Sequence, residues 1–476
     1  MYFSRKIKSV ETREIVLCGA HDPIFKAAQM MADNRVSCLF IGNARGEIDG
    51  FVTDITLRDK VVAKRRDPVG PISDVMDNHI VSIDEEAYAY EAILLMFQTK
   101  SRYLLVTSNG RYVGFLSRNK LLSEQAESPL VFIQSVKQAL SSSELARKWG
   151  QVPEVVNKLL DRGVNSSIVN QVITAIADTI AQNVIEEVLA DKGQPPAKFV
   201  FMVLGSEGRK EQTLKTDQDN AIIYEDRANE HREEVRKWFL GFAENVSDRL
   251  NSIGFVYCTG GFMAKNPVYT HSLSHWKKNY QNWMDEALPE TVIKFSTFFD
   301  CRFLYGSPEI MQQLREFLDK QLQQPLEKFF VYLAQNALQY EPPLNYFNQI
   351  KTFSVGGRQV FDIKKVMTPV VDLVRVYALR NRIFELNTGD RIEALKDMGV
   401  FNEGECKELL ESYYYLMEMR LRTQANRLIR DKMEAENYIE LKNMTKMEKA
   451  AMKEVFKSIE NFQAGIRIKF TNNLLG

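Results

Sequence analysis

The feature that most narrows the fold is an internal repeat: residues 28–57 align on residues 92–121 at a constant offset of 64, without a gap. Ala28 falls on Ala92, Ser37 on Ser101, Gly50-Phe51 on Gly114-Phe115 and Thr53 on Ser117. A repeat of this size is one supersecondary unit that cannot bury its apolar face alone, so the two copies are expected to pack as a pair. AAQMMADNR and EAILLMFQTKSR carry helical spacing, whereas SCLFIGN with GFVTD, and YLLVTSNG with YVGFLS, read as strands about Gly/Asn turns. Each copy therefore reads as helix, strand, turn, strand, helix.

This pattern resembles a tandem CBS module, a regulatory pair that commonly holds adenine nucleotides in its inter-repeat clefts. In that family the segment G-h-h-[ST]-x-x-D sets a hydroxyl near phosphate and an aspartate on the ribose. By that likeness Thr53 and Ser117 are the candidate adenine-nucleotide contacts, but Thr56 and Lys120 stand at the aspartate positions. Asp54 is an alternative. Nucleotide sensing and a structural role, as homodimer interface or lid, stay side by side.

Beyond the repeat, SELARKWGQVPEVVNKLLDRG and IVNQVITAIADTIAQNVIEEVLADKG predict amphipathic helices across 126–196. GQPPAK stops the last of them just before the apolar strand FVFMVLG. From about 326 onward the pattern is almost wholly helical, interrupted by the turn Gly356-Gly357-Arg358 and the segment FDIKK with Asp362, Lys364 and Lys365. A chain of 476 residues exceeds one core, and about three domains are expected.

The chemistry concentrates in FVFMVLGSEGRKEQTLKTDQDNAIIYED, residues 199–226. A buried strand ends at Gly205-Ser206, and a second opens with Asp217-Gln218-Asp219. Side chains repeat every two residues along a strand, so Asp217 and Asp219 share a face. Two carboxylates so close repel unless a cation lies between them, and hard divalent ions such as Mg2+ (or Mn2+) take such oxygen ligands. The Gly-Ser turn offers backbone N–H groups and a hydroxyl for polyphosphate oxygens, with Gly205 permitting close approach. Together these predict a metal-dependent phosphoryl-transfer site. A third carboxylate is expected on a neighbouring strand, with Asp300 at the end of VIKFSTFFDCR preferred over Asp285 and Asp226. Arg209 and Lys210 are candidate phosphate contacts, with a solvated basic pair as the alternative; Lys364, with Lys365, is a candidate to face the nucleotide, with a solvated charge run as its alternative.

The ordered set G-S-x-G-R-x-E, D-Q-D-N and a later D-x-R resembles the nucleotidyltransferases of the DNA polymerase β type. Over essentially the whole chain the sequence is similar to a bacterial family of CBS-linked nucleotidyltransferase-type proteins related to the N-terminal part of PII uridylyltransferase: GSEGRKEQTLKTDQDNAIIY, His271-Ser272, FFDCRFLYG, DIKK and NTGDRIEAL carry the likeness. The implied fold is α+β and multidomain: a tandem CBS pair over 1–125, a polymerase β-like domain with a mixed sheet and a helical lead-in over 126–325, and a helical substrate-binding-type bundle over 326–476. The implied activity moves an NMP from an NTP onto an acceptor hydroxyl, with Asp217, Asp219 and Asp300 holding the metal and Gly205 and Ser206 anchoring the triphosphate. The acceptor is a protein tyrosine, as in PII uridylyltransferase, or a small molecule. The alternative is a non-catalytic, nucleotide-responsive signalling protein. The sole His-Asp dipeptide, His21-Asp22, lies in the first repeat, which argues against a second, hydrolytic activity.

Equal counts of basic and acidic residues, 62 and 62, give no general basic field and disfavour a nucleic-acid substrate. The five cysteines form no CxxC pair, which fits a reducing cytoplasm better than a disulfide framework. The N-terminal segment has no apolar core of signal-peptide length, and no apolar run approaches the roughly 18 residues of a membrane span, so no membrane partner is expected. His271 and His275 at i, i+4, and Tyr413-Tyr414-Tyr415, read as packing pairs rather than ligands.

Overall fold

The computed structural model describes residues 6–10, 12–43, 47–123, 129–227, 231–288, 290–291 and 295–471. Two compact units meet in sequence at Phe132/Ile133.

In the first unit each repeat builds the same three-stranded sheet. In one copy, β1 (Leu17–Gly19) pairs parallel with β2 (Cys38–Gly42), which pairs antiparallel with β3 (Ile48–Thr53); helix α1 (Ile24–Asp33) connects β1 to β2. In the other, β4 (Ser82–Asp84), α2 (Ala89–Gln98), β5 (Tyr103–Ser108) and β6 (Arg111–Ser117) repeat that order. Cys38, Phe40, Leu105 and Phe115 form a buried cluster shared by both copies, with the Phe40 and Phe115 rings edge to face at 5.3 Å.

The repeated glycines have a shared cause. Asp77 exchanges both backbone hydrogen bonds with Phe51, and Arg13 does the same with Phe115, so a single bridge outside the strands ties a further backbone segment to each hairpin. A Cβ at Gly50 would stand 2.9 Å from Asp77 O, and one at Gly114 would stand 2.9 Å from Thr12 Cβ.

The second unit opens with helices, including α3 (Ser142–Asp161) and α4 (Ser166–Lys192). Helix α4 is long and apolar enough to cross a membrane, but 67% of its apolar window is buried within the unit. Core packing accounts for its composition. The central sheet runs β11-β9-β7-β12: β7 (Phe199–Val203) pairs antiparallel with β9 (Asn220–Tyr224) and with β12 (Arg302–Gly306), while β9 pairs parallel with β11 (Thr270–Ser272). Every residue of β7 and β9 is buried, as a sheet covered on both faces requires. Two short strands, β8 (Asp217–Gln218) and β10 (Val256–Tyr257), pair parallel, the second following helix α5 (Arg232–Ile253).

After helices α6 (Leu273–Asp285), α7 (Pro308–Leu322) and α8 (Glu327–Ala337), the C-terminal part departs from an all-helical pattern. Strands β13 (Phe353–Val355), β14 (Arg358–Asp362) and β15 (Tyr438–Glu440) form a small antiparallel sheet. The hairpin turns on Gly356 and Gly357, both at positive φ (54° and 78°), but strands of three to five residues are too short to imprint a period of two against helical neighbours. Helices α9 (Ile363–Arg380), α10 (Thr388–Asp397), α11 (Glu403–Asn426) and α12 (Lys446–Thr471) complete the unit.

Candidate functional site

Strand β7 ends at Val203, and the N–H of the next residue, Leu204, donates to Asp219 O at 2.9 Å. The chain then turns through Gly205 at φ 58°. A Cβ there would lie 3.1 Å from Asp219 Oδ2 and 3.2 Å from Thr297 Cγ2, so both the backbone conformation and the close approach favour glycine. Asp219 and the Gly205-Ser206 turn are thus built side by side.

Alternation fixes which residues face the site. Gln218 points away, its Nε2 donating to Ser247 O and Phe255 O at 2.9 and 2.8 Å. Asn220 points the same way and accepts from Ala264 N at 2.8 Å. Asp217 and Asp219 are left together on the opposite side, where their oxygens and Cys258 Sγ all lie within 4.8 Å of one another. Burial, then the neighbouring Asp217, pushes Asp219 up to about 6, against the weaker pull of a hydrogen bond from the Cys258 thiol, then of Lys364 and Arg209. Its Oδ1 is buried with no hydrogen-bond partner. An orphaned carboxylate oxygen beside a second carboxylate is the condition a divalent cation relieves, so these residues fit such an ion.

Two cations from the helical part bear on this pair. Lys364, at the first turn of α9 capped by Asp362, acts on Asp219. Arg420 of α11 acts on Asp217; its Nε donates to Asn437 Oδ1 at 2.9 Å, and burial drops it to about 10. Gln424, one turn on, bonds Asn437 Oδ1 and accepts from Leu214 N at 3.0 Å.

Asp300 lies elsewhere than expected. It ends a 3-10 turn, Ser296–Asp300, rather than a strand, and is fully buried. Its carboxylate receives Arg209 Nη1 at 2.6 Å, Arg375 Nη2 at 2.6 Å and Arg391 Nη2 at 2.8 Å. Burial alone would raise it, but the three guanidiniums outweigh burial and hold it well below the usual carboxylate range. With its oxygens taken by arginines, it does not join the Asp217/Asp219 pair as a ligand. The same network corrects Arg209, whose Nε and Nη1 are spent on Glu211 and Asp300 rather than open to phosphate. Lys210, at φ 58°, is desolvated among Arg302, Asp178, Asp390 and Glu385. The lesser carboxylates are also apart: Asp226 accepts from Ser274 Oγ at 2.6 Å, and Asp285 is exposed at the end of α6.

In the first unit Thr53 ends β3 with its Oγ1 2.9 Å from Thr56 Oγ1, also accepting from Thr56 N at 3.1 Å. The two hydroxyls serve each other as a helix cap. Asp54 accepts from Ile55 N at 2.8 Å. Ser117 ends β6, half-buried, and the Lys120 side chain lies outside the described residues. A cavity of about 400 Å³ beside Gly19, Asp22, Lys26 and Gly42 sits at the opposite end of β2 from the Cys38–Thr53 pairing. A cavity of about 840 Å³ in the second unit is lined by Met419 and Thr423 of α11 and by Arg427 and Glu436 beyond it, and not by Arg420 or Gln424.

Sequence reasoning missed Cys258, Arg375, Arg391, Arg420 and Gln424. Arg375 left a trace, a cation inside VVDLVRVYAL, where an unpaired charge would not be buried. Cys258 left none. His271 and His275 are stacked with ring centroids 3.7 Å apart, and Tyr413 is core.

Comparison with known proteins gives three family matches: CBS domains at residues 7–63 and 72–127, "Putative nucleotidyltransferase DUF294" at 150–290, and "Putative nucleotidyltransferase substrate binding domain" at 327–470. The chain is 26% identical over 147 residues to the CBS domain-containing protein CBSCBSPB2 of Arabidopsis thaliana, a match covering 31% of this chain and 27% of that protein. It is 32% identical over 122 residues to the protein YlbB of Bacillus subtilis, covering 25% of this chain and 82% of that one. Among solved structures it is similar to a conserved protein from Pyrococcus horikoshii (19% identity, 27% of this chain and 97% of that one, TM-score 0.25) and to the CBS domain protein PAE2072 from Pyrobaculum aerophilum complexed with AMP (21%, 26% and 93%, TM-score 0.24). The chain belongs to the family that joins a CBS pair to a DUF294 nucleotidyltransferase domain and its C-terminal substrate-binding domain.

Proposed function

We propose that the protein is a Mg2+- or Mn2+-dependent nucleotidyltransferase that moves an NMP from an NTP onto an acceptor hydroxyl. The observation that carries this reading is the Asp217/Asp219 pair, in which Asp219 has Oδ2 set against the Gly205-Ser206 turn and Oδ1 buried and unpartnered. Asp217 and Asp219 would hold the ion, which when bound neutralises charge on the reacting phosphates. Gly205 and Ser206 bind the triphosphate through backbone N–H groups and the Ser206 hydroxyl. Lys364 and Arg420 supply positive charge from the helical part, which favours the anionic nucleotide beside two carboxylates. Asp300 holds the turn instead of the metal.

The acceptor is a protein tyrosine, in the manner of a uridylyltransferase, or a small molecule with a free hydroxyl. The CBS pair, residues 1–125, regulates a catalytic part at 126–325 and a substrate-binding part at 326–476, through adenine nucleotides or through homodimerisation, in the cytoplasm. The test is incubation with each α-labelled NTP, Mg2+ and a cell lysate, comparing the parent with Asp217→Asn and Asp219→Asn. Label transferred by the parent and lost in both variants is expected; equal transfer would sink the assignment and favour a non-catalytic signalling protein. Calorimetric titration with AMP, ADP and ATP separates sensing from a structural role for the CBS pair.

A further inference from the structure

We propose that Cys258 is the third protein ligand of the metal site, a thiolate where a carboxylate was expected, so that the site takes thiophilic divalent ions alongside Mg2+. This rests on the metal-site reading of Asp217 and Asp219.

Register places the cysteine. Val256 pairs with Asp217 and Tyr257 with Gln218 in a parallel ladder, which carries Cys258 alongside Asp219. The chain then turns back, Gly261 N–H donating to Cys258 O at 3.0 Å. The nearest heavy atoms to a Cβ built at Gly260 would be Phe262 at 2.8 Å and Cys258 Sγ at 3.7 Å, so glycine keeps that side of the sulfur clear. Two ligands on one ion stand about 3.7 Å apart at the tetrahedral angle when metal–sulfur is roughly 2.3 Å and metal–oxygen roughly 2.2 Å. The three donors, within 4.8 Å of one another, close onto one ion by a contraction of about 1 Å.

A second observation points to a ligand independently of the cysteine: Asp219, a member of this same group, has its Oδ1 buried and without a hydrogen-bond partner. Among the described residues this is the group of three or more such side chains close enough to share an ion, and Asp300 is outside it. Cys18, Cys38, Cys301 and Cys406 are buried, which leaves half-buried Cys258 as the accessible thiol. Binding replaces the S–H bond with a sulfur–metal bond and releases the proton to solvent. A soft donor beside two hard ones favours Mn2+, Co2+ and Zn2+ over Mg2+, relative to an all-oxygen set.

The experiment titrates the full-length protein, stripped with chelator, with Co2+ and separately with Mg2+, reading absorption and calorimetric affinity in the parent, Cys258→Ser and Cys258→Asp. A near-ultraviolet thiolate-to-cobalt band is expected in the parent and absent from both variants. Cys258→Ser should weaken Co2+ binding by at least about 10–100-fold, the loss that even an outer-shell partner causes, with little change for Mg2+. Cys258→Asp should keep ion binding and shift preference towards Mg2+. Circular dichroism and the thermal midpoint without metal establish that the variants fold. Co2+ bound by the parent without the band, or a band surviving in Cys258→Ser, overturns the inference while leaving the two-carboxylate site standing. A parent that binds neither ion overturns both.

Discussion

Arg375 Nη2 donates to Asp300 Oδ2 at 2.6 Å with both residues almost wholly removed from solvent. Arg375 sits on α9 and Asp300 just before β12, so the contact ties the helical part to the sheet. Arg209 and Glu211 carry the tie to the Gly205 turn, since Glu211 Oε1 accepts from Thr388 N at 2.6 Å. Replacing Asp300 with Asn would leave three guanidiniums facing a neutral amide, and a loss of about 3–5 kcal/mol in urea unfolding is expected. Its folded pKa is depressed, so its stabilisation is present above the unfolded value near 4 and is lost as pH falls through the folded value. The parent should therefore lose stability below pH ~4 more steeply than Asp300→Asn. Unchanged stability with loss of metal binding would return Asp300 to the ligand set.

Gly208 tests the same tie without touching charge. A Cβ there would stand 1.8 Å from Asp300 O and 3.1 Å from Val203 O, both backbone atoms that cannot swing aside. Gly208→Ala is expected to lower the thermal midpoint more than Gly150→Ala, where a Cβ meets open space. Equal midpoints would mean that the turn yields easily and that the tie is soft.

The repeat, the strand-turn-strand at 199–224 and the shared face of Asp217 and Asp219 were legible because each follows from local periodicity. The Asp300 network was not. Its charges come from positions 209, 300, 375 and 391, and only the tertiary fold decides that three arginines converge on one aspartate. Strand β15 and the cysteine beside Asp219 were hidden for the same reason, since pairing partners far apart in sequence define them, whereas β13 was hidden by its shortness. The sequence did signal a D-x-R after the apolar run, but the pattern alone could not say whether that aspartate faces a metal or a guanidinium.

Lys364 and Lys210 separate two kinds of basic residue. Lys364 bears on Asp219, whereas Lys210 is desolvated amid Arg302, Asp178, Asp390 and Glu385. A charge-assisted hydrogen bond contributes about 1.5–3 kcal/mol. Lys364→Ala should thus weaken NTP binding about 10–100-fold in a calorimetric titration, with folding unchanged. Lys210→Ala should leave NTP affinity within about twofold, less than ~0.5 kcal/mol. The reverse ranking would put the triphosphate on the other side of the turn.

His271 and His275 give the second unit a distinct response to mild acid. Burial first, then His275, Arg236 and Arg232, holds His271 down to about 3; His275 is lowered by burial, Arg232, Arg236 and Lys278. Both rings are therefore neutral and stacked in the folded state near neutral pH. The unfolded chain protonates near pH 6.5, so the stabilisation is fully present above that value and is lost as pH falls towards 3. One proton bound only by the unfolded state gives up to about 1.4 kcal/mol per pH unit, and partial exposure reduces this to about 1. His271→Asn removes the titration. Its urea midpoint should lie below the parent's at pH 7.5, where the ring packing is lost, yet fall less between pH 6.5 and 5. Parallel midpoint curves for parent and variant across that window would mean that the histidine takes up its proton in the folded protein as readily as in the unfolded chain.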